Sequence, residues 1–220
     1  MIARDLISGI LPCLRTSDTG RKAIEWMTEF KISHLPIVNN TQLLGVISEE
    51  DVIDTSHPDD PIGDHTLSLH RAFVQEDQHI YDIIKIFSEL KLTLLPVVNK
   101  ESEYVGAILK SDLVDRFAEI SAIREAGGIL EVEIALKDYD LSQLVRIIES
   151  NDAKILSLYT QLNPESSQVK VTVKLNIPDV SRVVSSLERF NYSVVASFVE
   201  RTNISDLKER FEAFLKYLNT

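Results

Sequence analysis

Ser48 and Asp51 stand three residues apart after an apolar run, in the segment Gly45-Val46-Ile47-Ser48-Glu49-Glu50-Asp51. If a strand ends at Ser48 and a helix begins there, backbone N–H groups and a hydroxyl point to one place and can bind an anion. The Asp51 carboxylate, one helical turn later, can accept hydrogen bonds from sugar hydroxyls. The pair therefore suits a phosphorylated ribose, although the same atoms would also form a simple capping box.

The segment occurs a second time, as Gly106-Ala107-Ile108-Leu109-Lys110-Ser111-Asp112. This copy keeps the carboxylate in Asp112, but Leu109 stands where the hydroxyl would be. We therefore expect a second crevice that has a ribose anchor and lacks phosphate donors, so that its ligand carries less charge. Repetition at a spacing of about sixty residues indicates a duplicated small module.

A strand-like segment precedes each copy: Lys31-Ile32-Ser33-His34-Leu35-Pro36-Ile37-Val38-Asn39 returns as Lys91-Leu92-Thr93-Leu94-Leu95-Pro96-Val97-Val98-Asn99. His34 is either a basic group that contacts a phosphate, and binds it more tightly when protonated, or a plain strand-edge histidine. Pro36 and Ile37 would offer their backbone to a purine while their side chains face the core.

Each copy has the pattern helix, strand, strand, helix. Apolar residues recur at helical spacing over 19–30 and 80–90, with Ser17 and Asp18 as N-cap candidates for the first helix. A module of this size buries little surface alone, so the two copies should pack together. The short β-type runs lie at 35–38 and 43–47, and at 95–98 and 104–109.

The Leu-Pro strand, the Gly-apolar-apolar-Ser-X-X-Asp turn and their duplication resemble the CBS domain. Residues 1–126 resemble a tandem pair of CBS domains, the Bateman module, with repeats of about 1–60 and 61–126. In adenylate-binding members, the matching positions contact phosphate and ribose. The resemblance therefore implies a site at Ser48 and Asp51 for AMP, ADP, ATP or a related adenine nucleotide.

The second half changes its pattern after Gly127-Gly128, where paired glycines predict a domain boundary. Residues 129–200 predict the order βαββαβ, a ferredoxin-like plait. This order after a CBS pair resembles the ACT domain, a small-ligand sensing module, and the combination resembles the CBS and ACT regulatory proteins of the acetoin-utilisation type. The expected fold class is α/β of the α+β kind.

Asp138-Tyr139-Asp140 stands where an ACT domain has its ligand loop, between the first strand and the first helix. Members that bind amino acids usually carry Asp-X-Pro-Gly-X-Leu here. Without that glycine the backbone is less free to approach a ligand, and two carboxylates would repel the carboxylate of an amino acid. Asp140 followed three residues later by Gln143 instead suggests a helix cap.

Residues 203–220 form the last predicted segment, an amphipathic helix whose apolar residues include Leu207, Phe211 and Phe214. An apolar stripe at a chain end usually covers its own domain or the second copy of a dimer. We therefore expect a homodimer, because tandem CBS modules and ACT plaits also leave apolar faces or sheet edges to cover.

Composition narrows the function classes. A net charge of −11 disfavours nucleic-acid binding, which needs a basic surface. No apolar run reaches the roughly 20 residues that span a bilayer, and the first residues lack the order of a signal peptide, so we expect a cytoplasmic protein without a membrane partner. The single Cys13 and the scattered histidines give no metal-ligand spacing, and we expect neither a metal nor another resident cofactor.

We therefore expect a non-enzymatic regulator in which an adenosine-containing ligand changes the geometry of the repeated half and thereby acts on a regulated protein partner. The sequence has no nucleophile with a nearby base and no glycine-rich phosphate loop, so none of its motifs indicates catalysis. Two alternatives stay open: a ligand-free subunit for dimerisation and docking, and an amino-acid-responsive ACT sensor.

Overall fold

The computed structural model describes residues 1–9, 11–54, 57–64 and 72–199. The chain divides into two compact units, Met1–Phe117 and Ala118–Thr220. The division falls inside a helix, ahead of the Gly127-Gly128 pair. The predicted helix at 203–220 lies outside the described residues. Within the described part of the chain, no helix is long and apolar enough to cross a membrane.

The first unit contains the two repeats. The first repeat comprises α1 (Gly20–Phe30), β1 (His34–Asn39), β2 (Gln42–Ser48) and α2 (Glu49–Ile53), and the second comprises β3 (Val74–Gln75), α3 (Ile80–Leu90), β4 (Leu94–Val98), β5 (Tyr104–Leu109) and α4 (Lys110–Ile120). The predicted order helix, strand, strand, helix is confirmed in both copies.

Helix α1 begins one residue later than its cap candidates suggest. Thr19 is the N-cap, and its hydroxyl accepts a hydrogen bond from the Lys22 N–H, so the prediction of Ser17 or Asp18 is wrong. The Asp18 carboxylate accepts instead from the Arg15 N–H and the Lys22 ammonium. The helix ends where Lys31 takes a left-handed backbone conformation, and Ala23 and Met27 lie on its buried face.

The hairpins of the two repeats have the same construction. Strands β1 and β2 are antiparallel, as are β4 and β5, and each pair has an irregularity at the same place, after Ile37 and after Val97. Each first strand also has a parallel neighbour, Leu14 beside Ile37 and β3 beside β4. Apolar side chains of both hairpins are buried, and Leu94 of the second repeat belongs to the core of the first.

The segment before each repeat packs on the other repeat. The 3₁₀ turn Ala3–Leu6 lies on the core of the second repeat, where the Arg4 N–H donates to the Glu76 carbonyl. The segment before the second repeat contains Gly63, whose N–H donates to the Thr16 carbonyl of the first repeat. This exchange joins the two repeats into one body, because neither core is closed by its own segment alone.

The second unit comprises β6 (Ile129–Ala135), α5 (Leu141–Glu149), β7 (Ile155–Asn163), β8 (Gln168–Leu175), α6 (Ser181–Arg189) and β9 (Ser193–Phe198). Its antiparallel sheet has the strand order β7-β8-β6-β9, the ferredoxin-like arrangement, so the predicted βαββαβ order is confirmed. Strand β6 buries alternate residues, and both helices contribute to the same core as the sheet.

Gly127 adjoins this sheet in a conformation that requires glycine. Its φ is +153°, and a Cβ there would lie 1.8 Å from the carbonyl oxygen of Leu175. A side chain at this position would push β8 away.

Candidate functional site

Ser48 and Asp51 meet at the junction of β2 and α2. The Ser48 hydroxyl accepts from the Asp51 N–H at 3.1 Å, and the Asp51 carboxylate accepts from the Ser48 N–H at 2.9 Å and from its hydroxyl at 2.6 Å. The two residues therefore form a capping box, and both side chains are half-buried. Glu49 and Glu50 also lie in the first turn, so the junction carries three carboxylates.

His34 lies directly beside this junction, because it pairs with Ser48 in the register of β1 and β2. Its Nδ1 accepts from the Thr93 N–H at 3.3 Å and lies 3.0 Å from the Thr93 hydroxyl. That hydroxyl accepts from the Ser33 N–H, so its own proton points to Nδ1. This network assigns Nδ1 as an acceptor and places the proton of the neutral ring on Nε2. His34 thus joins the two repeats.

Pro36 and Ile37 lie inside β1, where both are buried. The Leu14 N–H donates to the Pro36 carbonyl, and Ile37 contributes its side chain to the core of the first repeat. The structure brings Ser48, Asp51 and His34 together, while Pro36 and Ile37 continue away along the strand.

The second repeat has the same junction with different chemistry. The Lys110 N–H donates to the Thr93 carbonyl as the Glu49 N–H does to Ser33. Asp112, half-buried in the first turn of α4, accepts only a 3.3 Å hydrogen bond from Ser111 among the contacts described.

A groove of about 400 Å³ lies beside this second junction. The Ser8 hydroxyl accepts from the Leu109 N–H at its edge, and Tyr104 is half-buried, with desolvation raising the pKa of its hydroxyl. Within the part of the chain that the structure describes, no charged residue lines the groove, and Asp112 is not part of its wall. The lining residues are Ile7, Ser8, Gly9, Leu11, Tyr104, Val105, Gly106 and Ala107.

Asp138, Tyr139 and Asp140 connect β6 to α5. Asp138 ends a 3₁₀ turn, and Tyr139 packs against the core of the second unit. Asp140 is the N-cap of α5: its carboxylate accepts from the hydroxyl and N–H of Ser142 and from the Gln143 N–H. These hydrogen bonds hold the pKa of Asp140 below its ordinary value, and the bond from the Ser142 hydroxyl has the largest effect.

A second cleft, of about 580 Å³, lies along α6 and was not identified from the sequence. Arg182 and Arg189, seven residues apart on one helix face with serines between them, were the signal that could have indicated it. Among the residues that the structure describes, no three His, Cys, Asp or Glu side chains cluster as metal ligands would.

Solved structures similar to this one include a CBS domain pair/ACT domain protein from Thermotoga maritima, with a TM-score of 0.49 and 24% identity over 54% of this chain and 98% of that one. Another is CBSX2, a CBS-pair protein from Arabidopsis thaliana, in complex with AMP, with a TM-score of 0.48 and 20% identity over 54% of this chain and 97% of that one. At these scores the likeness carries no conclusion about the ligand of this protein.

Curated relatives include inosine-5'-monophosphate dehydrogenases. The protein from Methanocaldococcus jannaschii is 27% identical over 134 residues, which are 60% of this chain and 27% of that protein. The one from Korarchaeum cryptofilum is 22% identical over 189 residues, 85% of this chain and 38% of that protein. The chain thus spans well under half the length of these relatives.

The family model for the CBS domain matches the chain twice, at residues 3–58 and 68–119. The two matches coincide with the two structural repeats, each with its own hairpin and its own Gly-apolar-apolar turn. The first unit of this protein is therefore a tandem pair of CBS domains, a regulatory module.

Proposed function

We propose that the CBS pair binds an adenine nucleotide, AMP, ADP, ATP or a related molecule, at the first-repeat junction. The observation that carries this proposal is the convergence of Ser48, Asp51 and His34 at the end of β2. The Ser48 hydroxyl would donate to a phosphate, and the Asp51 carboxylate would accept from the ribose hydroxyls. The N–H groups of Ser48, Glu49 and Asp51 already donate within the capping box or to the Ser33 carbonyl.

The existing hydrogen bonds of this junction limit the affinity. The Ser48 hydroxyl already donates to Asp51, so binding a phosphate exchanges one hydrogen bond for another. The carboxylates of Glu49 and Glu50 oppose an incoming anion. We therefore expect micromolar or weaker binding.

The second junction would take a less charged molecule. Asp112 keeps a carboxylate for a ribose, Leu109 has no hydroxyl, and the nearby groove is lined by apolar side chains, backbone and the Ser8 hydroxyl. These features suit a nucleoside rather than a nucleotide.

Nucleotide binding would regulate another protein through the shape of the CBS pair. His34 and Thr93 connect the first junction to the second repeat, so a ligand at Ser48 and Asp51 lies beside a contact that fixes the two repeats. The protein in this proposal is a homodimer without catalytic activity, and its partner is a protein whose activity follows the nucleotide.

A ligand-free docking subunit is the second candidate, and the capping box favours it. Ser48 and Asp51 satisfy each other without a ligand, so helix capping alone accounts for their positions. An amino-acid sensor receives less support, because Oδ1 of Asp140 already caps α5 and the loop carries two carboxylates.

Calorimetric titration with AMP, ADP and ATP distinguishes these candidates. Asp51→Ala should abolish binding, whereas Glu50→Ala removes an exposed carboxylate from the same helical turn and should leave binding intact or improve it. Asp51→Asn keeps an oxygen for the cap and should still weaken binding, because a charge-assisted hydrogen bond is lost.

The proposal is wrong if Asp51→Ala binds nucleotide as the unmodified protein does. Absence of binding to the unmodified protein would favour the docking subunit. Thermal unfolding gives an independent readout, because a ligand at 100 times its Kd stabilises the folded protein by roughly 2.7 kcal/mol. The same measurement with amino acids tests the ACT alternative.

A further inference from the structure

Among the residues that the structure describes, the cleft along α6 is lined by two arginines and by no acidic residue. Its wall consists of Asn151, Ser181, Arg182, Ser185, Ser186 and Arg189, around a volume of about 580 Å³. Four of the lining residues, 182, 185, 186 and 189, recur at intervals of three or four and share one face of the helix. In a chain with a net charge of −11, this face concentrates positive charge.

Arg189 is held in place by a chain of hydrogen bonds. Its Nη2 donates to the Ser186 hydroxyl at 3.0 Å, which in turn donates to Oδ1 of Asn151 at 3.0 Å. The Asn151 amide donates to the Ile147 carbonyl at the end of α5. Ser186 is only 5% exposed, so this chain anchors one edge of the guanidinium and leaves its other N–H groups for a ligand.

Arg182 stands at the other end of the cleft. It forms no ion pair with any residue in the described ranges, and the Asp179 carboxylate, three residues earlier, interacts with its charge. The Asp179 carboxylate accepts from the hydroxyl and N–H of Ser181, and these bonds, with a smaller effect of Arg182, lower its pKa. Hydrogen bonds from Ser181 thus already stabilise the charge of Asp179 at the start of α6.

The serines of the cleft offer acceptors rather than donors. The Ser181 hydroxyl proton is given to Asp179, that of Ser185 to the Ser181 carbonyl, and that of Ser186 to Asn151. The lone pairs of the Ser181 and Ser185 hydroxyls remain for donors on a ligand, whereas the Ser186 hydroxyl already accepts from Arg189. A matching molecule would carry an anionic group for the guanidinium groups and hydroxyls for the serine oxygens.

We propose that this cleft binds a small hydroxylated organic oxyanion, with its phosphate or carboxylate group held by Arg182 and Arg189. Guanidinium groups recognise both oxyanions through paired hydrogen bonds, and the long side chains let two arginines two helical turns apart reach a group between them. All of its lining residues belong to the second unit, so the proposal does not rest on nucleotide binding by the CBS pair.

The test is residue-resolved NMR of the full chain, labelled with ¹⁵N and titrated with inorganic phosphate, acetate or chloride at constant ionic strength. We expect saturable shifts of the Arg182 and Arg189 Nε–H signals and of the α6 amides with phosphate, with acetate, or with both. The comparison between those two titrations identifies the oxyanion. Arg182→Gln and Arg189→Gln should each weaken binding about tenfold, because each removes a charge-assisted contact.

Arg146→Gln is the matched control. It removes the same charge from an exposed position on α5, outside the cleft lining, and should leave the titration unchanged. Ser186→Ala keeps both charges and should weaken binding by releasing Arg189. Linear shifts that chloride reproduces, or equal loss of binding in Arg146→Gln, would show that the surface only screens charge and would overturn the proposal.

Discussion

His34 shows how one side chain can serve both a structural contact and a candidate site. Its Nδ1 accepts from the Thr93 N–H, and leaving that half-buried donor without a partner costs about 1–3 kcal/mol. His34→Leu should therefore lower the free energy of unfolding by about that amount. His34→Asn should lose less, because an amide oxygen can take the place of Nδ1. Urea unfolding of the three proteins measures the difference.

Equal stability of the leucine and asparagine variants would contradict this role. Protonation adds a further effect, because a proton on Nδ1 would face the Thr93 N–H and leave that donor without its acceptor, so that only the Thr93 hydroxyl could still bond to the ring. A protonated ring would attract phosphate more strongly but would hold the second repeat less well. The sequence alone predicts tighter nucleotide binding at low pH. In the structure, the same protonation also weakens the hydrogen bonding between His34 and Thr93, so the two effects oppose each other.

At the scale of elements, α5 depends on its N-cap. The pKa of Asp140 is lowered by hydrogen bonds from Ser142 and Gln143, so the folded state favours its ionised form. The resulting stability is present above the unfolded pKa, roughly 4, and is lost as pH falls through the lower folded value. The difference in the free energy of unfolding between the unmodified protein and Asp140→Asn should therefore shrink as the pH falls from 6 to 3.

The midpoints of urea unfolding at several pH values measure this difference in stability. Because both proteins contain the same other carboxylates, the titration of those groups cancels in the difference. Asp140→Ala provides the comparison, because it removes the acceptor as well and should have the lowest midpoint at neutral pH. A gap between the unmodified protein and Asp140→Asn that stays constant with pH would show that the cap acts through geometry and not through charge.

The helices and strands were largely predictable, because their signals are local. The bounds of α3 and β5 agree with the apolar spacing in the sequence, and duplication reinforces each assignment. The cap of α1 was misjudged because Ser17, Asp18 and Thr19 are all good caps, and only the folded chain shows that Asp18 is taken by Arg15 and Lys22.

Contacts between distant residues were not predictable in this way. The hydrogen bond of His34 with Thr93 and the packing of Ala3–Leu6 on the second repeat join residues about sixty or more positions apart, and a single sequence carries no signal for such pairings. The cleft on α6 was missed for a related reason. Arg189 gains its orientation from Asn151 and Ser186, which belong to different elements.

At the scale of the molecule, β7 and β9 are the two edges of the ferredoxin-like sheet, and the β7 edge is our candidate for self-association. Within the described residues, β7 is hydrogen-bonded on one side only. Tyr159 and Leu162 on this strand are 57% and 58% exposed. Exposed edge strands with apolar side chains tend to pair with another strand. We therefore predict a homodimer in which β7 of one copy pairs with β7 of the other and extends the sheet.

Light scattering at micromolar concentration should give twice the mass of the chain. The double substitution Tyr159→Lys with Leu162→Lys should weaken the dimer, since it places like charges at the paired edges. Phe190→Lys is the matched control, because it charges a similarly exposed apolar residue at the end of α6. A monomeric mass for the unmodified protein would reject the dimer. A dimer unaffected by the lysines would move the interface away from β7, to the CBS pair or to another face of the second unit.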